Sequence, residues 1–123
     1  MPKLNILIVD PDHQSAELLK DDLTEDGYEA DMVTNGPDAF KRITNRQYNL
    51  AIIDRNLADI DSLRLCQKIR AENPTDRFAI IVISSFDDEE DREKAQSSGA
   101  DEYLCKPFVY DTLAQLVARL ASH

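Results

Sequence analysis

The order of apolar and polar residues divides the chain into short apolar runs separated by longer amphipathic segments. Three runs, at 4–9, 50–53 and 78–83, are almost continuously apolar and too short for buried helices, so we interpret them as strands covered on both faces. Two less apolar segments, Tyr28–Val33 and Asp101–Cys105, lie at the matching places between helical patterns. Together the pattern predicts five strands.

The segments between these strands carry apolar residues at helical spacing. The predicted helices run from His13 to Asp26, from Asn35-Gly36-Pro37 onward, after the loop 55–61, from Asp87 to Ser98, and near the end of the chain. Their apolar positions are Ala16, Leu18, Leu19 and Leu23; Ala39, Phe40 and Ile43; Leu63, Leu65, Cys66 and Ile69; Ala95; and Leu113, Leu116, Val117 and Leu120.

Several residues indicate where these helices begin and end. Gly27 and Gly99 follow helical patterns and favour C-terminal stops, and Asn73-Pro74 ends the third pattern. Asp61 or Ser62 can cap the start of the third helix. The helix at 87–98 has so few apolar positions that we expect it to be the least firmly anchored of the five.

Five strands that alternate with five helices predict an α/β fold with a parallel sheet covered on both faces. We expect residues 1–123 to form one domain. The chain has only three glycines, which excludes a Walker loop or a GxGxxG dinucleotide loop.

The charge and composition of the chain indicate which classes of molecule it can bind. The net charge of −10 argues against direct nucleic-acid binding and suits cationic partners, including metal ions. No apolar stretch is long enough for a membrane span, and we expect a cytoplasmic protein. Cys66 and Cys105 fit core positions as reduced thiols, and His13 and His123 are isolated, without zinc-ligand spacing.

Chemically active groups follow four of the strands. Asp10 and Asp12 follow the first strand, Asp54 ends the third, Ser84 follows the fourth, and Lys106 follows the fifth. The carboxyl ends of parallel strands meet at one edge, where such sheets bind ligands. Two carboxylates about 5 Å apart repel by roughly 3 kcal/mol at an effective dielectric of about 20, and a divalent cation removes that cost. Oxygen ligands favour Mg²⁺ or Mn²⁺, and a nearby amine and hydroxyl would complete a phosphoryl site.

Over its whole length the chain resembles the receiver domain of two-component response regulators. The resemblance rests on these stretches: Ile6-Leu7-Ile8-Val9-Asp10, Gly27-Tyr28, Asn35-Gly36, Ile52-Ile53-Asp54, Ile83-Ser84, Gly99-Ala100-Asp101 and Lys106-Pro107-Phe108. It implies a flavodoxin-like, doubly wound sheet in strand order 2-1-3-4-5. It also implies a signalling switch that catalyses its own phosphorylation, without independent turnover, and works as a monomer or weak homodimer.

The resemblance assigns roles to single residues. Asp54 would accept a phosphoryl group from a histidine kinase or phosphotransfer protein, and Ser84 and Lys106 would bind the phosphoryl oxygens. Asp10 and the backbone carbonyl of Asn56 would help to hold Mg²⁺. Tyr103 stands where family members carry an aromatic residue that swings inward on activation, which would change the binding of a downstream protein.

The chain departs from the family pattern at several positions. Pro11 stands where a second acid usually binds the metal, so we expect weakened Mg²⁺ affinity. Asp12 either substitutes for that ligand or caps the first helix, and the sequence leaves both open. Ala58 and Ser62 replace a proline and a glycine after Asp54, and Ser62 can serve as a cap.

Two other functions compete with the phosphorylated switch. Pro11 favours a degenerate receiver that binds partners without phosphorylation. Asp10-Pro11-Asp12 is similar to the DxD start of haloacid-dehalogenase-type phosphatases, in which Asp10 would be the nucleophile, but this leaves the strand that ends at Asp54 unexplained.

Overall fold

Strands and helices alternate strictly along the chain in a computed structural model, which describes residues 4–45, 48–72 and 78–121. The predicted helix end at Asn73-Pro74 and His123 lie outside the described residues. The strands are β1 (Asn5–Val9), β2 (Glu29–Val33), β3 (Leu50–Asp54), β4 (Ala79–Ser84) and β5 (Glu102–Cys105). The helices are α1 (His13–Glu25), α2 (Gly36–Asn45), α3 (Ser62–Glu72), α4 (Glu89–Ser97) and α5 (Tyr110–Ala121).

The five strands form one parallel sheet in the order β2-β1-β3-β4-β5, which confirms the expected flavodoxin-like topology. In register, Ile8 of β1 lies beside Ile52 of β3, and Asp54 lies beside Ile83 of β4. Both faces of the three central strands are buried, which explains why their sequences are continuously apolar.

Alternate residues of each strand supply two separate apolar clusters. One cluster contains Val9, Ile53 and Val82 and packs against α2, α3 and α4. The other contains Ile8 and Ile52 and packs against α1 and α5. The face that each strand-end side chain occupies therefore follows from its parity along the strand.

The helices confirm most of the predicted inner faces, with one correction. In α1, Ala16 and Leu23 are buried, but Leu18 is 68% exposed, because it points away from the sheet. In α3, all four predicted apolar positions are buried, whereas in α5 Leu113 and Val117 are buried and its other two predicted positions only partly so. None of the helices within the described ranges is long and apolar enough to cross a bilayer.

The two cysteines differ in burial, which corrects the expectation that both are core residues. Cys66 lies in the core on α3, and burial raises the pKa of its thiol to about 12. Cys105 ends β5 and is only partly buried. Both are free thiols, as expected.

Helix α4 differs from the other helices in its packing. It begins two residues later than predicted, because the Asp88 carboxylate accepts a hydrogen bond from the Glu90 backbone N–H at 3.0 Å and so caps the helix. Ala95 is the one buried residue of α4, all of whose residues are described. The prediction that this helix buries little apolar surface is confirmed, and polar contacts must therefore contribute much of its attachment.

Candidate functional site

Three charged side chains converge on one face of the sheet at the carboxyl ends of its strands. Asp10 continues the face of Ile8, Asp54 that of Ile52, and Lys106 that of Leu104, all of which face α1 and α5. The three line one cavity of about 340 Å³. The structure thus brings together the predicted acids of β1 and β3 with the predicted lysine.

Asp54 is the most buried acid of this group and has a cation in direct contact. The Lys106 ammonium donates to Oδ2 of Asp54 at 2.6 Å, and the Asn56 backbone N–H donates to Oδ1 at 2.8 Å. The Asp54 side chain is only 8% exposed, while that of Lys106 is 39% exposed. Both carboxylate oxygens of Asp54 are therefore held in place. The Lys106 amine is exposed enough to contact a group that is attached to Asp54 from the solvent side.

Asp10 is half-buried beside this pair. Burial raises the pKa of Asp10, and the nearby Asp54 carboxylate raises it further. The Asp12 backbone N–H, which donates to Asp10 Oδ1 at 2.9 Å, and the Lys106 ammonium act in the opposite direction but do not cancel the rise. The two carboxylates therefore repel each other, as the sequence predicted, and a cation between them would relieve that repulsion.

Asp12 takes the position of the helix cap. Its Oδ1 accepts from the Gln14 backbone N–H at 3.1 Å, and its Oδ2 accepts from the Ser15 hydroxyl at 2.9 Å. The hydrogen bond from Ser15 is the main cause of a lowered pKa of Asp12. Of the two alternatives that the sequence left open, this geometry supports capping of α1.

Ser84 lies at the end of the neighbouring strand but on the opposite face of the sheet. It shares the face of Val82, is 1% exposed, and accepts a hydrogen bond from the Phe86 backbone N–H at 2.9 Å. The backbone keeps it close to the acid, because Arg55 N–H donates to the carbonyl of Ile83 at 2.7 Å. Ser84 therefore belongs to the rim of the site.

Tyr103 lies on the same face as Ser84 and is buried. Its hydroxyl donates to Asp91 Oδ2 at 2.5 Å and lies 3.0 Å from the Phe86 carbonyl oxygen. Burial and the Asp91 carboxylate raise the pKa of Tyr103 to about 12. The predicted switch residue is thus buried and is linked to Ser84 through Phe86, whose carbonyl it contacts and whose N–H donates to Ser84.

Sequence reasoning missed two contributors, Arg55 and the hydrogen bond of Ser62, whereas it did offer Asp61 as a cap. Arg55, directly after Asp54, donates to both carboxylate oxygens of Asp91 on α4 and also pairs with Asp61 at 2.9 Å. The hydroxyl of Ser62 is buried and donates to the backbone carbonyl of Asp54 at 2.5 Å, whereas Asp61 provides the cap by accepting from the Leu63 N–H at 3.1 Å. The one signal in the sequence that could have pointed to this role of Arg55 is its position directly after Asp54.

The chemistry of the oxygen donors at this site fits a hydrated Mg²⁺. Asp10 and Asp54 supply two carboxylates, and the carbonyl of Asn56 is the further expected ligand. The described ranges contain no group of three or more His, Cys, Asp or Glu side chains that could hold a metal ion. Mg²⁺ is commonly bound through one or two carboxylates with waters and phosphate oxygens completing its shell, so a site with two acids suffices.

Comparisons with known proteins point to one family. The family described as response regulator receiver domain matches residues 6–118. The chain is 34% identical to the response regulator RppA of Synechocystis sp., over 95% of this chain and 49% of that protein. It is 31% identical to the phosphate regulon transcriptional regulatory protein PhoB of Rhizobium meliloti, over 98% of this chain and 51% of that protein.

A solved structure shows the same similarity. A two-component response regulator from Clostridium difficile superimposes with a TM-score of 0.92 at 29% identity, and 98% of each chain is covered. The chain spans about half the length of the curated relatives it matches.

Proposed function

Because the chain belongs to the receiver domains of response regulators, we propose that it accepts a phosphoryl group on Asp54 from a histidine kinase or phosphotransfer protein. Receiver domains are regulatory modules rather than conventional enzymes, generally bind Mg²⁺ for phosphorylation, and interact with such kinases and with downstream effectors. The proposed outcome is a change in the binding of a downstream protein partner.

The contact between Lys106 and Asp54 carries this proposal. An ammonium 2.6 Å from a nearly buried carboxylate forms a charge-assisted hydrogen bond that holds this carboxylate in place as a candidate nucleophile. The same ammonium lies where it can neutralise charge on an incoming phosphoryl group. A lysine whose only role was a solvated surface charge would not be expected to bind Asp54, the least exposed acid of the site.

The reaction can be written from these side chains. An oxygen of Asp54 attacks phosphorus, the bond from phosphorus to the donor histidine nitrogen breaks, and the nitrogen keeps the electron pair. Mg²⁺, when bound by Asp10, Asp54 and the Asn56 carbonyl, supplies charge neutralisation. Lys106 pairs with one phosphoryl oxygen, and Ser84 supplies a hydroxyl to another.

Five further properties belong to the same proposal. The domain catalyses its own phosphoryl transfer without independent turnover, and it acts in the cytoplasm. It binds no nucleic acid directly, in line with its net charge of −10. It works as a monomer or a weak homodimer. Pro11 weakens Mg²⁺ binding without preventing it, because two carboxylates remain.

Incubation with acetyl phosphate, with and without Mg²⁺, followed by intact mass measurement, tests the proposal. We expect a Mg²⁺-dependent phosphoryl adduct in the wild type that is missing in Asp54→Asn. Asp21→Asn, which removes an exposed acid from α1, is the matched control and should keep the adduct. A folded wild type that neither forms the adduct nor binds Mg²⁺ would contradict the proposal and indicate a phosphorylation-independent interaction module.

A further inference from the structure

Two side chains of helix α4, Asp91 and Arg92, make polar contacts with the rest of the domain, and Asp91 contacts two different residues. Asp91 is 13% exposed and accepts hydrogen bonds from Arg55 at 3.1 to 3.3 Å and from the Tyr103 hydroxyl at 2.5 Å. Ala95 is the one buried side chain of this fully described helix. Loss of Asp91 contacts should therefore affect the position of α4 more than loss of any exposed charge on it.

Arg55 is fixed at both of its ends. Its backbone N–H donates to the carbonyl of Ile83, which places the residue between β3 and β4 directly after Asp54. Its guanidinium spans from Asp91 to Asp61, the cap of α3, and is 20% exposed. The guanidinium fork, which binds both oxygens of Asp91, thus joins the loop after Asp54 directly to α4.

Tyr103 connects this ion pair to Phe86, which is in turn bound to Ser84. The Tyr103 hydroxyl donates to Asp91 and lies 3.0 Å from the Phe86 carbonyl oxygen, and the Phe86 backbone N–H donates to the Ser84 hydroxyl. The guanidinium of Arg92 lies 4.9 Å from the Tyr103 ring centre. Arg92 also donates to the Tyr103 carbonyl at 3.1 Å. The inward position of Tyr103 is therefore held from the side of α4 as well as from the side of the sheet.

We propose that Arg55 and Asp91 form a polar lock that positions α4 and the Tyr103 hydroxyl, and that this lock couples the loop after Asp54 to α4. Arg55 and Asp91 are positioning residues, since they act through Tyr103 and Ser84. The lock rests only on the contacts of Arg55, Asp91 and Tyr103. The coupling of the lock to signalling rests in addition on the proposed phosphorylation of Asp54.

Amide hydrogen exchange along α4 tests the lock. We expect about ten-fold faster exchange at Glu89–Ser97 in Arg55→Gln and in Asp91→Asn, because each change removes hydrogen bonds to a charged group, and ten-fold corresponds to about 1.4 kcal/mol. The double variant should exchange no faster than the more affected single variant, because both break the same contact. Glu93→Gln makes the same charge change as Asp91→Asn at an exposed position of α4 and should leave exchange unchanged.

Two further measurements separate the lock from a general loss of stability. Exchange of β1 and β3 amides serves as the internal reference for global unfolding, and α4 exchange should rise relative to it. Arg55→Lys keeps the charge but not the fork, so it should restore only part of the protection. Single variants that match Glu93→Gln, or a double variant whose effect is the product of the two singles, would overturn the lock.

Beryllofluoride with Mg²⁺, which mimics a phosphoryl group on Asp54, tests the coupling. In the wild type it should change α4 exchange, and in Asp91→Asn the change should be at least about three-fold smaller. An equal change in both proteins would overturn the coupling. If beryllofluoride does not bind the wild type, the proposed function fails, while the comparison of the variants without beryllofluoride still decides the lock.

Discussion

The Asp12 carboxylate accepts a hydrogen bond from the Ser15 hydroxyl at 2.9 Å and thereby begins α1 instead of facing the acids of the sheet. Its other oxygen accepts the Gln14 backbone N–H. Both oxygens of the acid that comes after Pro11 are therefore used for capping. This geometry favours Asp12 as a helix cap rather than as a substitute for the acid that the family pattern has at position 11.

Pro11→Asp should tighten Mg²⁺ binding by about ten-fold or more, because changes in ligand support commonly alter metal affinity by about 10–100-fold. Calorimetric titration with Mg²⁺ measures the change. Asp12→Asn should leave the affinity within about two-fold of the wild type, because asparagine caps helices as well as aspartate does. A large loss of affinity in Asp12→Asn would instead identify Asp12 as a ligand.

Ser62→Ala should lower the free energy of unfolding by about 1 kcal/mol. The change removes the buried hydroxyl that donates to the Asp54 backbone carbonyl and leaves that carbonyl without this donor. Urea unfolding measures the effect, with Ser97→Ala, an exposed position at the end of α4, as the control. Equal stability of the two variants would show that the Ser62 bond contributes nothing.

The fold and the convergence of Asp10, Asp54 and Lys106 could be predicted from the sequence, because both depend on strand parity and burial. Apolar runs located the strands, and Asp10, Asp54 and Lys106 follow them at positions that share one face. The sequence did not predict the partners of Arg55 or the bond from Ser62, because these join residues that are distant along the chain. Leu18 was misassigned because its spacing is helical although its direction is outward.

Gly36 at the start of α2 lies against Ile60 in the loop after β3. A Cβ atom at position 36 would lie 2.0 Å from Cγ2 of Ile60, a stiff, β-branched side chain. Gly36→Ala should therefore destabilise the domain by about 1–3 kcal/mol through overpacking. Thermal or urea unfolding measures this loss.

The pair of positions offers its own control. Ile60→Ala in the Gly36→Ala background should recover much of the loss, because it removes the atom that the new Cβ would meet. If the loss of unfolding free energy in the double variant equals the sum of the losses in the two single variants, the close approach of residue 36 to Ile60 does not cause the instability of Gly36→Ala.

The repulsion between Asp10 and Asp54 predicts how the metal-free protein responds to pH. Burial and the Asp54 carboxylate raise the pKa of Asp10 in the folded protein. At pH values between the pKa in the unfolded chain, about 4, and this raised pKa, the folded protein therefore binds more protons than the unfolded chain. This contribution to stability is present at low pH and is lost as pH rises through the folded pKa of Asp10. Urea unfolding in EDTA across this range should show the loss, and Asp10→Asn should abolish it.

The pKa of Asp10 can also be followed directly by NMR of its carboxyl carbon. Asp54→Asn should lower that pKa, because it removes a neighbouring negative charge, and Lys106→Met should raise it, because it removes a positive one. Asp21→Asn on the exposed side of α1 should leave it unchanged. If neither Asp54→Asn nor Lys106→Met changes the pKa of Asp10, Asp10 and Asp54 are not electrostatically coupled. Repulsion between these two carboxylates would then no longer favour a cation at this site.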